Sequence, residues 1–506
     1  HHRALKGLEK AGAAGAYRIQ LSLPEDAVMK HYMIVDIGTG NSRVALVRED
    51  GALICVKTFE NIYYIDEAYE DAQYFDPSFW KRNILGLCRE IIHMYPNITI
   101  DAISSSGARE SIVLINRKQE DFYGLPNIDN RGRAWMAEIQ KDGIYEKTGR
   151  WVTEDFPAAK LMGLSKRRKE IFDQVQTFTS LSEWIGYVLC GKLAIEPSQA
   201  CETQLYVIGK QQWSEELIKR FKLEQLTMPP LLHAGSLLGL VKEDMKEQLK
   251  IAYDIPFLVG GADTQVAVLG AGMQEGDIAV VSGTTSPVVT LRTERYCDPQ
   301  ERCWTDSWLK GSMYQMETNP GVTGLNYQRI RNLLFDGVSY EDLEAALKEV
   351  TSIKCTASFS SLDFEHACGY KNGGFFMRPP FRADLHRIDL AWALVGDIAC
   401  SISYQYRQLL QMLPIQHDKI LGCGGGFQSD MLCQHLSDLT QKALVLPDHF
   451  HQASIMGCVA VCNSYWNIHT DTNERSYKIY KPQKGSLIQE YYEIWKTNRD
   501  RVNTTV

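Results

Sequence analysis

No C-x-x-C pair occurs among the 13 cysteines, which are scattered along 506 residues. Zinc-ribbon and thioredoxin-type sites are thereby excluded, and the thiols are expected to be reduced, packing as small hydrophobes in a cytoplasmic protein. No apolar run reaches the roughly 18–20 residues that span a bilayer. Positive charge is in short supply, with 54 Lys and Arg against 62 Asp and Glu for a formal net charge of −8. The surplus that non-specific nucleic-acid binding draws on is missing, so neither nucleic acid nor membrane is an expected partner. One basic run, Lys166-Arg167-Arg168-Lys169, reads as a solvated helix face.

Several nucleotide and hydrolase signatures are also missing. Gly191-Lys192 and Gly209-Lys210 are followed by Leu193 and Gln211, so there is no Walker A loop. Gly422 to Phe427 ends in Phe, and Gly38 to Arg43 in Arg, where a dinucleotide fingerprint needs its last glycine. A Rossmann dehydrogenase is therefore disfavoured. Neither H-E-x-x-H nor G-x-S-x-G occurs, which removes the common metalloprotease and α/β-hydrolase readings.

What is present is an ordinary globular composition, 44% hydrophobic and 23% charged, over a length that predicts two to four domains. Residues 1–28 open with His1-His2 and an Ala/Gly-rich stretch, and are expected to be a tag or unstructured leader ahead of Met29. Beyond it, alternating strand and helix signals predict an α/β fold. Tyr32 to Val47 reads as a hairpin with a polar tip. Asp76 to Tyr95 reads as a helix, Ile98 to Ser104 and Ile112 to Asn116 as strands, and Leu181 to Leu189 as a helix. Pro256 to Gln265 is a strand ending in glycines and an acid, and Ile278 to Leu291 is a second polar-tipped hairpin. Lys419 to Asp430 runs from a strand through three glycines into a helix, with Ser429 or Asp430 near its N-terminus. The repeated hairpin predicts two related halves, 29–254 and 255–506.

Gly/Ser/Thr turns turn backbone N–H groups outward with no Cβ in the way, and such turns and helix N-termini are natural phosphate cradles. One such turn is weak evidence, but three in one chain point to a phosphate ligand.

Taken in order and spacing, Asp36-Ile-Gly-Thr-Gly-Asn-Ser-Arg43, Gly260-Gly-Ala-Asp-Thr264, Ser282-Gly-Thr-Thr285 and Gly424-Gly-Gly426 resemble the FGGY carbohydrate kinases of the actin-like ATPase superfamily. The resemblance runs from Met33 to about Cys462. It implies two ribonuclease-H-like domains flanking a deep cleft, with the sugar on the cleft floor and MgATP mainly on the C-terminal lobe. It implies that Asp263 is the base that takes the proton of the attacking hydroxyl, a role that needs a carboxylate within hydrogen-bond reach. Asp263 and Asp36 would also form the Mg²⁺ site, Asp36 through water. Thr39, Gly40, Asn41 and Arg43 match the first phosphate hairpin, and Gly283 with Thr284 the second. Gly324, Gln328, Gly424, Gly425 and Ser429 fall where the family holds adenosine.

On the acceptor side, Arg109-Glu110 stands where glycerol kinases carry an Arg-Glu pair that grips substrate hydroxyls, and where xylulokinases usually show Met-His. Neighbours along a strand face opposite ways, so both reach one ligand only at a strand end or bend. Asp129 (in an acid-x-Arg element with Arg131), Phe156 and Gln265 complete the implied acceptor contacts. Ala108 to Leu114, Ser182 to Ala200 and the Asp263-x-Gln265 step look most like autoinducer-2 kinases. Two departures stand out: Gln452 occupies the place of an acid before the last helix, and Phe375 to Leu390 lacks the family's glycine-rich pattern. The expected activity is ATP-dependent phosphorylation of a hydroxyl on a small sugar, polyol or sugar-like signal, with autoinducer-2 among the candidates. The alternatives are a xylulokinase- or glycerol-kinase-like activity, a non-catalytic sugar and nucleotide sensor, or an actin-like ATPase acting on protein. The resemblance leaves room for a homodimer.

Overall fold

The computed structural model describes residues 28–309, 312–470 and 476–504; the expected leader lies outside the described residues apart from Val28. Six strands, β1 (His31–Ile37), β2 (Asn41–Arg48), β3 (Leu53–Glu60), β4 (Ala102–Gly107), β5 (Leu237–Leu240) and β6 (Pro256–Ala262), form one sheet in the order β5-β6-β4-β1-β2-β3. β1 and β2 make the expected hairpin, while β4 and β6 run parallel to β1. β1 is apolar on both faces because both are covered. Met33, Val35 and Ile37 pack with Trp80 and Ile84 on one side, and Tyr32 and Ile34 with Val266, Ile455 and Cys458 on the other.

Helix α1 (Pro77–Met94) supplies Trp80 and Ile84, and starts where the Asp76 side chain accepts a hydrogen bond from the Ser78 N–H at 2.9 Å, satisfying a donor the helix cannot. Helix α2 (Leu181–Cys190) covers the same face. The strand expected over Ile98 to Ser104 instead begins at Ala102 and runs through three buried serines to Gly107.

β6 leads directly into α3 (Asp263–Gly270), which lies between the sheets: Val266 belongs to the first sheet's core, Ala267 and Val268 to the second's. The second sheet contains β7 (Ile278–Val281), β8 (Val288–Arg292), β9 (Trp304–Ser307), β10 (Tyr314–Thr318), β11 (Lys419–Cys423), β12 (Ala443–Pro447) and β13 (Tyr477–Tyr480), in the order β9-β10-β8-β7-β11-β12-β13. Helices α4 (Gly324–Leu334), α5 (Arg387–Met412) and α6 (Asp430–Thr440) pack on one face. Helix α7 (Ala453–Tyr465) returns to pack beside α3.

The two sheets share one plan. In each, a hairpin is flanked on one side by an antiparallel strand (β3 or β10) and on the other by two parallel strands (β4 and β6, or β11 and β12). The expected division at 254/255 therefore falls one strand early, because β6 is the sixth strand of the first sheet. Gly260 is what lets β6 close onto β4: a Cβ there would lie 1.8 Å from the Ser105 carbonyl oxygen. Among the described residues no helix is long and apolar enough to cross a membrane, and all 13 cysteines are free.

Candidate active site

A cleft of about 640 Å³ opens between the two sheets, and a second cavity of about 480 Å³ adjoins it. Gly283, Thr284, Leu325 and Gly425 line both, so the β7–β8 turn is the sill between them.

The first hairpin carries a polar tip because Gly38 N–H bonds back to the Asn41 carbonyl at 3.0 Å and closes the turn. Asp36, near the end of β1, sits directly across from Arg43 on β2, and Arg43 donates to its carboxylate. The same guanidinium donates to the Gln452 side chain and to the His451 carbonyl at 3.3 Å. Gln452, where an acid was expected, thus still accepts from Arg43. Asp36, Thr39 and Arg43 line the main cleft, and Gly40 and Asn41 the second cavity.

Asp263 is the first residue of α3, delivered by β6 to the cleft wall. Its Oδ1 accepts from the Thr264 N–H at 2.8 Å. Burial pushes its carboxyl up to about 6; Arg109 opposes that rise and Asp36 adds to it. A carboxyl poised there is charged at neutral pH yet basic enough to take a proton.

Arg109 and Glu110 occupy the bend after β4, and both face the cleft. Glu110 has φ +67°, a left-handed turn that breaks the strand alternation and brings the pair to one side. Arg109 forks onto Glu317 of β10 at 2.6 and 3.2 Å and touches Glu202 at 3.4 Å. Arg150 joins Glu202 at 2.8 Å and also donates to Asp306 of β9. Two arginines from the first unit and two acids from the second therefore share one buried network across the cleft floor, with Glu202 between them. Glu110 is pushed up to about 8 by burial, then by Glu202 and Asp155, against the pull of Lys160 and Arg109.

Three implied acceptor contacts stand behind the wall rather than on it. The Asp129 carboxylate is fully buried, held by Arg131 Nε at 2.9 and 3.0 Å and by the Gln73 N–H at 2.8 Å. Phe156 is buried against Trp304, ring centroids 5.3 Å apart, and it is Trp304 that lines the cleft. Gln265 donates to Asp306 at 3.1 Å inside the floor network. In their place the cleft presents Asn127, Asp155 and Asn319. Asn127 donates to Thr39 Oγ1 at 2.9 Å, tying the acceptor wall to the phosphate hairpin. Asp155 adjoins Phe156 in Glu154-Asp155-Phe156, and it is Asp155 of that segment that lines the cleft.

At the other end, Gly324, Gln328, Gly425 and Ser429 line the second cavity beside Tyr327, Tyr340, Val395 and Ile398, while Gly424 lines the main cleft. Ser429 is already occupied: its hydroxyl donates to Glu344 and accepts from the Leu432 N–H at 3.2 Å, capping α6. Gly424 has φ +102° and packs so tightly that a Cβ would sit 2.4 Å from the Ser282 carbonyl oxygen. By contrast, a Cβ at Gly40 or Gly425 would meet no atom within 4 Å. Side-chain-free turns facing an aromatic and aliphatic cavity fit a nucleotide with its phosphates on the sill. Asp36 and Asp263, both on the main cleft, are the oxygen donors that suit Mg²⁺, an ion that keeps much of its hydration.

The model of the FGGY family of carbohydrate kinases, N-terminal domain, matches residues 31–270, and that of its C-terminal domain matches 376–466. The chain is 35% identical over 470 residues to YoaC of Bacillus subtilis (strain 168), assigned by name as a sugar kinase, covering 92% of this chain and 96% of that one. It is 24% identical over 506 residues to the autoinducer-2 kinase of Klebsiella pneumoniae, covering 93% of each. Glycerol kinase of Plasmodium falciparum, solved with ADP, superposes with a TM-score of 0.79 at 17% identity over 94% of this chain and 98% of that one. That likeness speaks to the fold, two ribonuclease-H-like lobes about a cleft.

Proposed function

Because the chain belongs to the FGGY family of carbohydrate kinases, whose members are ATP-dependent, we propose that it transfers the γ-phosphoryl group of ATP to a hydroxyl of a small sugar, polyol or sugar-like signal molecule. The observation that carries this reading is Asp263, a cleft carboxyl raised to about 6 at the meeting point of the acceptor wall and the glycine turns. It accepts the proton of the attacking hydroxyl as that oxygen bonds to the γ-phosphorus and the bond to the β-bridging oxygen breaks, releasing ADP. The turn at Thr39 to Asn41 and the Thr284 N–H face the phosphates, while the Gly283 N–H closes its own turn onto the Thr285 carbonyl at 2.9 Å. Asp36, through water, and Asp263 are the carboxylates that would hold Mg²⁺, which would supply positive charge against the phosphates. Val395 and Ile398 give the adenine an apolar seat.

The acceptor is an uncharged polyol rather than a sugar acid. Arg109 is consumed by Glu317 and Lys160 by main-chain carbonyls, while Glu110, Asp155 and Asp263 face the same space. A carboxylate beside those three acids would draw no counter-charge from Arg109 or Lys160, the cleft's remaining cations being Arg43, Arg329 and Lys371. The names of the relatives put autoinducer-2 beside the neutral polyols as the first acceptors to try.

The test is coupled ADP release with MgATP across glycerol, erythritol, ribitol, xylulose, ribulose, rhamnulose, gluconate and autoinducer-2. A neutral acceptor is expected to respond and gluconate to stay silent. Silence across the panel with ATP still bound would favour a non-catalytic sensor, and rapid ATP turnover without any acceptor would overturn the kinase reading.

A further inference from the structure

Lys160 lies in the first turn of the helix Pro157–Arg167 and is fully buried. It is absent from the cleft lining and has no part in the transfer step above. Its ammonium donates to three main-chain carbonyls: Asp155 at 2.6 Å, Asn127 at 3.1 Å and Glu110 at 3.3 Å. Three acceptors match the three donors of a charged ammonium, one more than a neutral amine offers. Burial pulls its pKa down while Glu110, Asp129 and Asp155 hold it up.

The three carbonyls belong to three separate segments. Glu110 is in the left-handed bend after β4, Asn127 follows the strand Asp121–Leu125, and Asp155 precedes the helix that carries Lys160. All three residues face the cleft. Chain of this kind has no ladder of its own to hold it at one height, and a shift of about 1 Å at an acceptor contact is costly to turnover. The Asn127 side chain passes the constraint on to Thr39 Oγ1 at 2.9 Å.

We propose that Lys160 is a positioning residue: by binding the carbonyls of Glu110, Asn127 and Asp155 at once, it holds three loops in register as a single acceptor wall. The inference rests on the kinase reading for its functional consequence, but not for the clamp itself.

Hydrogen exchange followed by mass spectrometry on wild type, Lys160→Met and Lys160→Gln tests the clamp directly; the Gln variant keeps part of the hydrogen bonding should the Met variant fail to fold. Exchange is expected to quicken in peptides covering 107–112, 126–131 and 153–157, and to stay unchanged in 278–292 and 419–430. No change in the three segments, or a change spread over the whole chain, overturns the proposal. With an acceptor in hand, the variants should raise the acceptor KM by roughly 10- to 100-fold and change the KM for ATP far less, through the Asn127–Thr39 link alone. An equal rise in both constants marks general loosening and also overturns it. Absence of acceptor-dependent ADP release in the wild type counts against the kinase reading alone, since the exchange pattern still decides the clamp.

Discussion

Arg109, in the bend after β4, and Glu317, on β10 of the other sheet, form a two-armed ion pair at 2.6 and 3.2 Å, 208 residues apart in the chain. Both side chains are buried, so neither has water to fall back on. Removing one partner of such a pair costs about 3–5 kcal/mol where the other charge is left alone; Arg109 would keep Glu202 at 3.4 Å and Asp306 at 3.6 Å, so the lower end applies. Glu317→Ala is expected to destabilise the protein by that amount in a denaturant titration. It should also raise the acceptor KM, since Arg109 loses its fixed orientation. A stability within error of wild type would show that the pair is not formed in solution.

Asp263→Asn keeps the shape of the carboxyl and removes its basicity. Loss of a general base costs about 10²- to 10⁴-fold in rate. Turnover is expected to fall at least that far, with nucleotide binding, read by calorimetry or fluorescence, nearly intact. Unimpaired turnover would dismiss Asp263 as the base.

The same carboxyl sets a pH profile. With its pKa raised to about 6 by burial, the active form is the charged one, so kcat/KM should climb as pH rises through about 6 and then level. An acid limb centred near the ordinary carboxylate range would mean that a different group titrates.

Glu196 offers a stability test away from the reaction. Burial pushes its carboxyl up to about 8, and Oε1 has no partner while Oε2 accepts from the Ser198 N–H at 2.7 Å. The folded state thus binds this proton more tightly than the unfolded chain. The stabilisation it brings is complete below about 4.5 and lost as pH climbs to about 8. Glu196→Gln keeps the accepting oxygen and cannot ionise. Its unfolding midpoint should fall less than that of wild type between about pH 5 and about pH 9, and parallel curves would contradict the assignment.

Gly425 borders both cavities, and a Cβ there meets no atom within 4 Å. Gly425→Leu is therefore expected to leave the melting temperature near wild type and to weaken nucleotide binding by at least about tenfold, the loss of roughly one good contact. Unchanged binding with an unchanged fold would show that the nucleotide does not use this turn.

Much of this arrangement was legible in the order of residues. Both hairpins, the strand that ends in Asp263 and the strand–glycine–helix unit at Gly424 to Ser429 announce themselves through short-range pattern. The strand Ala102–Gly107 was harder, because Ser104, Ser105 and Ser106 look like a surface loop and yet are buried between covered faces. Which side chain of an acceptor motif faces the cleft was legible for Arg109 and Glu110 and not for three others. Asp129 had a nearer cation in Arg131, Phe156 had Trp304 to pack on, and Gln265 had Asp306, so all three turned inward.

The division follows from the range of the forces. Turn geometry, strand alternation and helix capping depend on neighbours a few residues away, and they are written locally in glycines, β-branched runs and capping side chains. Which charge a buried arginine meets, and which face of a loop sees the cleft, depends on partners such as Glu317 and Trp304 that only packing brings near. Even the boundary between the halves was of this second kind: β6 follows the expected break at 254/255, but its hydrogen bonds to β4 and β5 make it part of the first sheet.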